Sequence, residues 1–155
     1  MLYLFDMDGT LRRARLLLPA PVATWDQRIL PGRLERLRAL RNEGHRLGAA
    51  SNQGGVAMGI MTVQRCEEVM QETNRRLDGL LEWIRFCPHH PRGLRRRYRQ
   101  RCACRKPAPG MLLEALTVFG CAPADATYIG DSSKDADAAR AAGFHYVGAT
   151  DFFSQ

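Results

Sequence analysis

Short hydrophobic runs recur along the chain, separated by longer stretches in which apolar residues lie three or four positions apart. Short runs of this kind predict buried strands. Five stand out: MLYLF at 1–5, RLGAA at 46–50, LLEWIRF at 80–86, ATYIG at 126–130 and FHYVGA at 144–149. The segment 12–31 holds three prolines and shows little periodicity, so it is expected to be an ordered loop.

The longer stretches predict helices. Leu34, Leu37 and Leu40 are spaced three apart and favour a helix that ends near Gly44. A second helix is expected to begin at Thr62 as its N-cap. It would bury one face, made by Val63, Cys66, Val69 or Met70, and Leu77. Two further helices are predicted within 109–120 and 132–143, and a glycine closes each of them.

Strands and helices alternate, which predicts an α/β fold: a mainly parallel sheet between two layers of helices. No change of composition marks a domain boundary, so residues 1–155 are expected to form one domain. Polar clusters directly follow three predicted strands, as DMDGT at 6–10, SNQ at 51–53 and GDSSKD at 130–135. Because ligands bind at the carboxyl ends of parallel strands, the three clusters are expected to meet at one edge of the sheet.

The excess of basic residues in the chain is concentrated in one segment. The formal net charge is +7, but residues 92–106 alone carry eight basic residues and no acid, so the rest of the chain sums to −1. The chain is therefore an ordinary one with a single basic loop. It shows no secretory signal and no apolar run long enough to span a membrane, so a cytoplasmic location, reduced thiols and no membrane partner are expected.

Four carboxylates belong to the polar clusters: Asp6, Asp8, Asp131 and Asp135. Gathered in one cleft they would repel each other unless a cation neutralised them, and oxygen ligands favour Mg²⁺. A magnesium site beside a lysine and a hydroxyl suits phosphoryl transfer, and Lys106 and Ser51 would supply these groups. One aspartate could attack phosphorus while the second protonates the leaving oxygen.

The segments DMDGTL, SNQ, RKP and GDSSKDADAA resemble, in order, the four motifs of the haloacid dehalogenase (HAD) superfamily, over residues 6 to 142. The resemblance implies that Asp6 is the nucleophile and Asp8 the general acid and base. It also implies a Mg²⁺ held by Asp6, the Asp8 carbonyl and Asp131, with Asp135 in support. The residues that would bind the phosphate or the rest of the substrate are Ser51, Asn52, Arg105 and Lys106.

The basic loop contains two pairs of metal-binding residue types, Cys87 with His89 and Cys102 with Cys104. Three thiolates and one imidazole complete a tetrahedral zinc shell, and a closed shell of this kind is structural. Zinc would then stabilise a loop, at about 87–104, that has few apolar residues of its own. His90 is an alternative to His89 as the fourth ligand.

The segment CPHHPRG followed by CACRKPAPGML resembles the zinc-loop branch of the same superfamily, which includes heptose bisphosphate phosphatases and histidinol-phosphate phosphatases. The short gaps between motifs imply that no large cap domain is present. Met7 departs from that branch, which usually has arginine between the two aspartates. Lys134 is as readily explained as a solvated helix residue as by a role in the site.

These observations predict a Mg²⁺-dependent phosphomonoesterase for a small phosphorylated metabolite, with a sugar bisphosphate as the leading candidate. Histidinol phosphate and a 3′-phosphate on nucleic acid are the alternatives, the latter because of the basic loop and Tyr98. A zinc-stabilised binding module without catalysis is the candidate from another class. A monomer is expected.

Overall fold

The computed structural model describes residues 1–154 and has a five-stranded parallel sheet at its centre. Its strands are β1 (Leu2–Phe5), β4 (Arg46–Asn52), β5 (Trp83–Cys87), β6 (Ala126–Gly130) and β7 (His145–Gly148). They are ordered β5-β4-β1-β6-β7, and every neighbouring pair is parallel. Two further strands, β2 (Arg12–Arg13) and β3 (Arg28–Ile29), pair as a small antiparallel ribbon.

Five helices cover the sheet: α1 (Arg33–Asn42), α2 (Val63–Arg76), α3 (Gly110–Phe119), α4 (Ser133–Ala142) and α5 (Ala149–Phe153). Alternate residues of β1 point to opposite faces, so Leu2 and Leu4 pack with α3 and α4, whereas Phe5 packs with α1, α2 and α5. The predicted three-layer α/β/α fold is confirmed.

The helix ends follow the capping residues that the sequence indicates. The Thr62 hydroxyl accepts a hydrogen bond from the Arg65 N–H at 3.1 Å at the start of α2. Ser132 and Asp135 form a reciprocal capping box at the start of α4. Gly120 and Gly143 close α3 and α4 in the left-handed conformation that glycine adopts without strain.

The structure also has elements that the pattern did not predict. The segment 12–31 contains the β2–β3 ribbon rather than loop alone. Helix α5 has only five residues, too few to show a period, and it is held by Phe152, whose ring lies 5.8 Å from that of Phe5. Strand β4 extends to Asn52, so the SNQ cluster begins inside the strand.

No large cap interrupts the sheet within residues 1–154. The β1–β4 connection holds the ribbon and α1, and the basic loop with its single 3₁₀ turn (Arg96–Tyr98) lies between β5 and α3. The helices of residues 1–154 include none with the length and apolar character that crossing a bilayer requires.

Candidate active site and metal centre

The polar clusters meet at the carboxyl edge of the sheet, as the alternating pattern predicted. Asp6 follows β1, Ser51 lies near the end of β4 and Asp131 follows β6. Together with Lys106 and the start of α4 they line a cavity of about 310 Å³. The order of the strands explains the convergence, because β1 lies between β4 and β6.

Lys106 lines this cavity and is almost fully buried. Its ammonium lies 2.8 Å from Asp6 Oδ1, 2.6 Å from Asp135 Oδ1, 2.7 Å from the Tyr128 hydroxyl and 3.1 Å from the Ala50 carbonyl. An ammonium has three protons for these four neighbours. A phosphate oxygen arriving beside Asp6 could therefore take over one of these hydrogen bonds.

Two side chains fix the carboxylate of Asp8. Arg12 Nε donates to Asp8 Oδ1 at 2.9 Å, and Gln53 Nε2 donates to Asp8 Oδ2 at 2.7 Å. The Gln53 amide also donates to Ser51 Oγ at 2.9 Å, which leaves the hydroxyl proton of Ser51 to donate in turn. Both oxygens of Asp8 therefore accept hydrogen bonds from side chains other than Lys106.

Two glycines allow the acidic side chains to approach the backbone. Gly9 has a φ of 86°, and a Cβ at this position would overlap the carboxylate of Asp131. A Cβ at Gly130 would overlap the side chain of Asp135 in the same way. Any larger residue at either position would displace a carboxylate from the cavity.

Burial shapes the ionisation of the acidic groups. Burial raises the pKa of Asp6, and Asp135 adds to the effect, while Lys106 lowers it; the result is a pKa of about 6, against the usual 3.8. Burial and the neighbouring Asp135 also raise the pKa of Asp131. Burial alone would lower the pKa of Lys106, but the Tyr128 hydroxyl and the two carboxylates raise it well above its usual value.

These carboxylates suit a hard divalent cation. Oxygen atoms of Asp6, Asp131 and Asp135 all lie within 4.8 Å of one another. Burial and the neighbouring Asp135 disfavour the ionised forms of Asp6 and Asp131, and a Mg²⁺ bound to their oxygens would favour these forms. Asp135 already contacts Lys106 and accepts from Ser132 Oγ at 2.7 Å, in keeping with a supporting role.

The predicted zinc ligands also come together. Cys87, His89, Cys102 and Cys104 place their Sγ and Nδ1 atoms within 4.8 Å of one another. The Sγ–Sγ distances are 2.9, 3.3 and 3.5 Å, all longer than a disulfide bond and shorter than the edge of about 3.8 Å that Zn–S bonds of about 2.3 Å give in a tetrahedral site. The Arg105 N–H donates to Cys102 Sγ at 3.3 Å, so the cluster is linked to the chain that carries Lys106. This Cys/His group could hold zinc.

The remaining predicted residues lie on the edges of the site. The Asn52 side chain is engaged with the main chain of Lys106, accepting from its N–H at 2.9 Å and donating to its carbonyl at 3.0 Å. Arg105 reaches the cavity and donates to the His89 carbonyl at 3.1 Å. His90 is not in the Cys/His cluster; its Nδ1 accepts from the Arg92 N–H at 3.0 Å. A direct contact of Asn52 or Arg105 with substrate stays a prediction.

Three contributors to the site were not identified from sequence: Arg12, Gln53 and Tyr128. Gln53 belongs to the SNQ motif, but no role was assigned to it. Tyr128 is part of a hydrophobic run that forms a strand, and the sequence alone indicates a core residue at this position. Arg12 adjoins the DMDGTL motif, yet a short pattern cannot indicate that an arginine is fully buried.

Met7, between the two aspartates, faces away from the cavity. Its side chain is fully buried and packs in the core with Phe5 and Leu11. A side chain in this position does not meet a ligand at the carboxyl edge.

The fold and the site define a class of protein, and comparison with known proteins agrees with it. A family model described as HAD-hydrolase-like matches residues 103–151. Two similar relatives and one similar solved structure are named as phosphatases. The chain belongs to the HAD superfamily.

The similar proteins carry more particular names. The chain is 36% identical over 116 residues to D-glycero-beta-D-manno-heptose-1,7-bisphosphate 7-phosphatase of Salmonella typhi, over 73% of this chain and 62% of that protein. It is 37% identical over 116 residues to the protein of the same name in Escherichia coli K12, over 73% and 61%. The chain thus matches less than two thirds of the length of these relatives.

A solved structure is similar over more of the chain. It is the D,D-heptose 1,7-bisphosphate phosphatase of B. bronchiseptica, complexed with magnesium and phosphate. The TM-score is 0.80 at 27% identity, and the match covers 94% of this chain and 78% of that one.

Proposed function

We propose that this protein is a Mg²⁺-dependent phosphomonoesterase that works through an aspartyl-phosphate. The observation that carries the proposal is the single cavity in which Asp6, Lys106 and Asp131 meet, with the Asp8 carboxylate held beside them. A nucleophile, a buried cation and a separately oriented acid are what hydrolysis of a phosphate ester requires.

In the first step an oxygen of Asp6 attacks phosphorus and the bond from phosphorus to the leaving oxygen breaks. Asp8 gives its proton to that oxygen, so the leaving group departs as a neutral alcohol. In the second step Asp8 takes a proton from water as the water oxygen attacks phosphorus, and the bond to Asp6 breaks. Inorganic phosphate is released and both aspartates return to their starting states.

Each remaining group has a separate task. Lys106 offers positive charge to the phosphoryl oxygens, and the Ser51 hydroxyl offers a hydrogen bond. A Mg²⁺ held by Asp6, Asp131 and the Asp8 carbonyl would neutralise charge that develops on the transferred group. Gln53 and Arg12 keep the Asp8 carboxylate directed at the leaving oxygen.

The names of the relatives make a heptose bisphosphate the first substrate to examine. Histidinol phosphate and a 3′-phosphorylated oligonucleotide are the alternatives. The ring of Tyr98 is half-buried and packs toward the core, so the one aromatic of the basic loop offers little surface for stacking a base. We propose structural zinc in the loop, a small-molecule substrate, a cytoplasmic location and a monomeric state.

The test is Mg²⁺-dependent phosphate release from the heptose bisphosphate, histidinol phosphate and the oligonucleotide, with Asp6→Asn as the blank. The Asn side chain is similar in shape but cannot form the aspartyl-phosphate, so release should fall by at least about a thousandfold. Turnover by Asp6→Asn equal to that of the wild type would contradict the mechanism.

A further inference from the structure

A second cavity, of about 390 Å³, adjoins the phosphate cavity. The two share Asp8, Asn52 and Arg105 in their linings. Because Asp8 protonates the leaving oxygen in the proposed mechanism, the part of the substrate beyond that oxygen lies beside Asp8. Another cavity beside Asp8, of about 470 Å³, is lined by Arg13, Arg28 and Asp131 and is more polar, so an apolar part of the substrate is better matched by the cavity of about 390 Å³. We call it the leaving-group pocket.

The leaving-group pocket is walled mainly by apolar side chains. They come from the segment after β2 and from the segment between β4 and α2: Leu18, Pro19, Val22, Met58, Ile60 and Met61. The apolar surface continues to the rim, where Leu17 is fully exposed and Leu18 and Ile60 are 44% and 58% exposed. Exposed apolar side chains in such a group are unusual at the surface of a soluble protein and mark a binding site.

Most polar groups of the pocket already have partners. The Asn52 amide is bound to the main chain of Lys106, and the Gln53 amide donates to Asp8 and Ser51. Besides the Asp8 carboxylate, the polar side chains that remain for a ligand are mainly those of Arg105 and His90. A sugar carries a hydroxyl on nearly every carbon, and hydroxyls set against apolar walls lose their hydrogen bonds with water.

The apolar wall is an ordered part of the structure. The buried Asp26 accepts hydrogen bonds from the N–H groups of Arg15, Leu16 and Val22 at 2.9, 2.8 and 3.1 Å. Three such bonds fix the loop that carries the leucines. Arg76 of α2 also donates to the Gln27 carbonyl at 2.6 Å and so ties the base of the loop to the core.

We propose that the substrate is a phosphomonoester whose leaving group carries an apolar portion, and that this portion lies in the leaving-group pocket. The inference rests on the proposed phosphomonoesterase activity and adds the substrate class to it. A cavity of about 150 Å³ lined by aliphatic and aromatic residues holds benzene. The pocket here has room for a larger aryl group or for an alkyl chain of several carbons.

The test measures kcat/KM for ethyl, butyl, hexyl and octyl phosphate and for the heptose bisphosphate, in the presence of Mg²⁺. Burial of each added methylene should raise kcat/KM about fourfold until the pocket is filled. Octylphosphonate has no P–O–C bond to break, and it should inhibit more strongly than ethylphosphonate by a comparable total factor.

Ile60→Asp and Val118→Asp make a matched pair of variants. Ile60 and Val118 are both β-branched and 58% and 57% exposed, but Val118 is on α3, on the opposite face of the sheet. Ile60→Asp should lower the ratio of kcat/KM for octyl to ethyl phosphate by about tenfold. Val118→Asp should leave this ratio as it is in the wild type.

Two results would overturn the inference while the proposed function stands. One is a kcat/KM that does not depend on chain length. The other is a kcat/KM for the heptose bisphosphate that exceeds the value for octyl phosphate. Absence of Mg²⁺-dependent phosphate release from all of these esters would overturn the proposed function and the inference together.

Discussion

Arg12 is a fully buried residue that joins the Asp8 carboxylate to helix α2. Its Nε donates to Asp8 Oδ1 at 2.9 Å, and its Nη1 donates to Thr73 Oγ1 at 2.6 Å. Its Nη2 has no hydrogen-bond partner within residues 1–154. A buried guanidinium with an unsatisfied nitrogen is unfavourable by itself, so its ion pair with Asp8 must offset much of the loss of hydration.

Replacement of Arg12 should affect stability and catalysis together. Arg12→Met would leave Asp8 half-buried without its cation, and we expect the free energy of unfolding to fall by about 3 kcal/mol. Because Gln53 alone would then orient the Asp8 carboxylate, kcat should fall more than KM changes. Urea unfolding and steady-state kinetics measure the two effects. Arg13→Met is the control, since the neighbouring Arg13 is exposed, and an equal loss of stability in both variants would contradict the argument.

Tyr128 helps to position the ammonium of Lys106. Its hydroxyl lies 2.7 Å from Lys106 Nζ and donates to the Ala50 carbonyl at 2.7 Å. Tyr128→Phe removes these contacts and keeps the ring, so we expect kcat to fall about tenfold with little change in fold. Near-ultraviolet circular dichroism checks the fold. Tyr146→Phe is the control on the next strand, and its kcat should stay within about twofold of the wild type.

The site residues that were predicted from the sequence lie in short motifs, whereas those that were not predicted depend on contacts with distant parts of the chain. Asp6, Asp131 and Lys106 belong to short motifs; the two aspartates directly follow strands, and Lys106 follows the second cysteine pair of the basic loop, before α3. Tyr128 and Arg12 act through partners distant in sequence, 22 residues away for Lys106 and 61 for Thr73. Their roles depend on tertiary packing, which no local period of hydrophobic residues indicates.

At the scale of elements, the five strands of the central sheet and the four longer helices were predicted from period and capping, whereas α5 and the β2–β3 ribbon were not. Helix α5 has five residues and β2 and β3 have two each, so none is long enough to repeat its period in a recognisable pattern. These pieces are stabilised by contacts with the rest of the fold, such as Phe152 on Phe5 and the Leu30 N–H on the Leu11 carbonyl at 3.0 Å.

The basic loop should depend on a metal for its structure. Its four candidate ligands hold together a segment with few buried apolar residues. We expect the purified protein to contain one equivalent of zinc, and its removal by a chelator to make three more thiols reactive toward a thiol reagent. Cys66 should stay unreactive in the folded protein because burial raises its pKa to about 12.

The Cys104→Ser variant also tests whether the basic loop depends on a metal. It should lose most of its zinc affinity and its phosphate release, since the loop ends at Arg105 and Lys106. Cys121→Ser is the matched control, because Cys121 lies outside the cluster. A Cys104→Ser variant with full zinc content and full activity would contradict a metal-stabilised loop.

At the scale of the whole molecule, the acidic edge should make stability depend on pH and on magnesium. The pKa of Asp6 is about 6 in the folded protein and 3.8 is usual for an exposed aspartate. Between these values the folded state keeps a proton that the unfolded state has released. The free energy of unfolding therefore falls as the pH rises from about 4 to about 6, and levels off above that range.

The size of this effect follows from the pKa shift, and a difference between two variants isolates it. A shift of about two units corresponds to about 3 kcal/mol. Asp6→Asn resembles the protonated side chain at every pH, so its stability relative to the wild type should increase by about this amount between pH 4 and pH 7. Both proteins are compared without added magnesium and without chelator, so any contribution from zinc is common to both and cancels.

Magnesium should reverse the trend in the wild type. Mg²⁺ binds the ionised carboxylates, so it should raise the melting temperature at pH 7.5 and have little effect near pH 4.5, where protons compete for the same oxygens. Asp6→Asn lacks one of the proposed ligands and should show a much smaller increase at pH 7.5. Glu114→Gln, at an exposed salt bridge with Arg85, is the control and should respond to Mg²⁺ as the wild type does. If Mg²⁺ stabilised Asp6→Asn as much as the wild type at pH 7.5, the cation would have to bind elsewhere than at the carboxyl edge of the sheet.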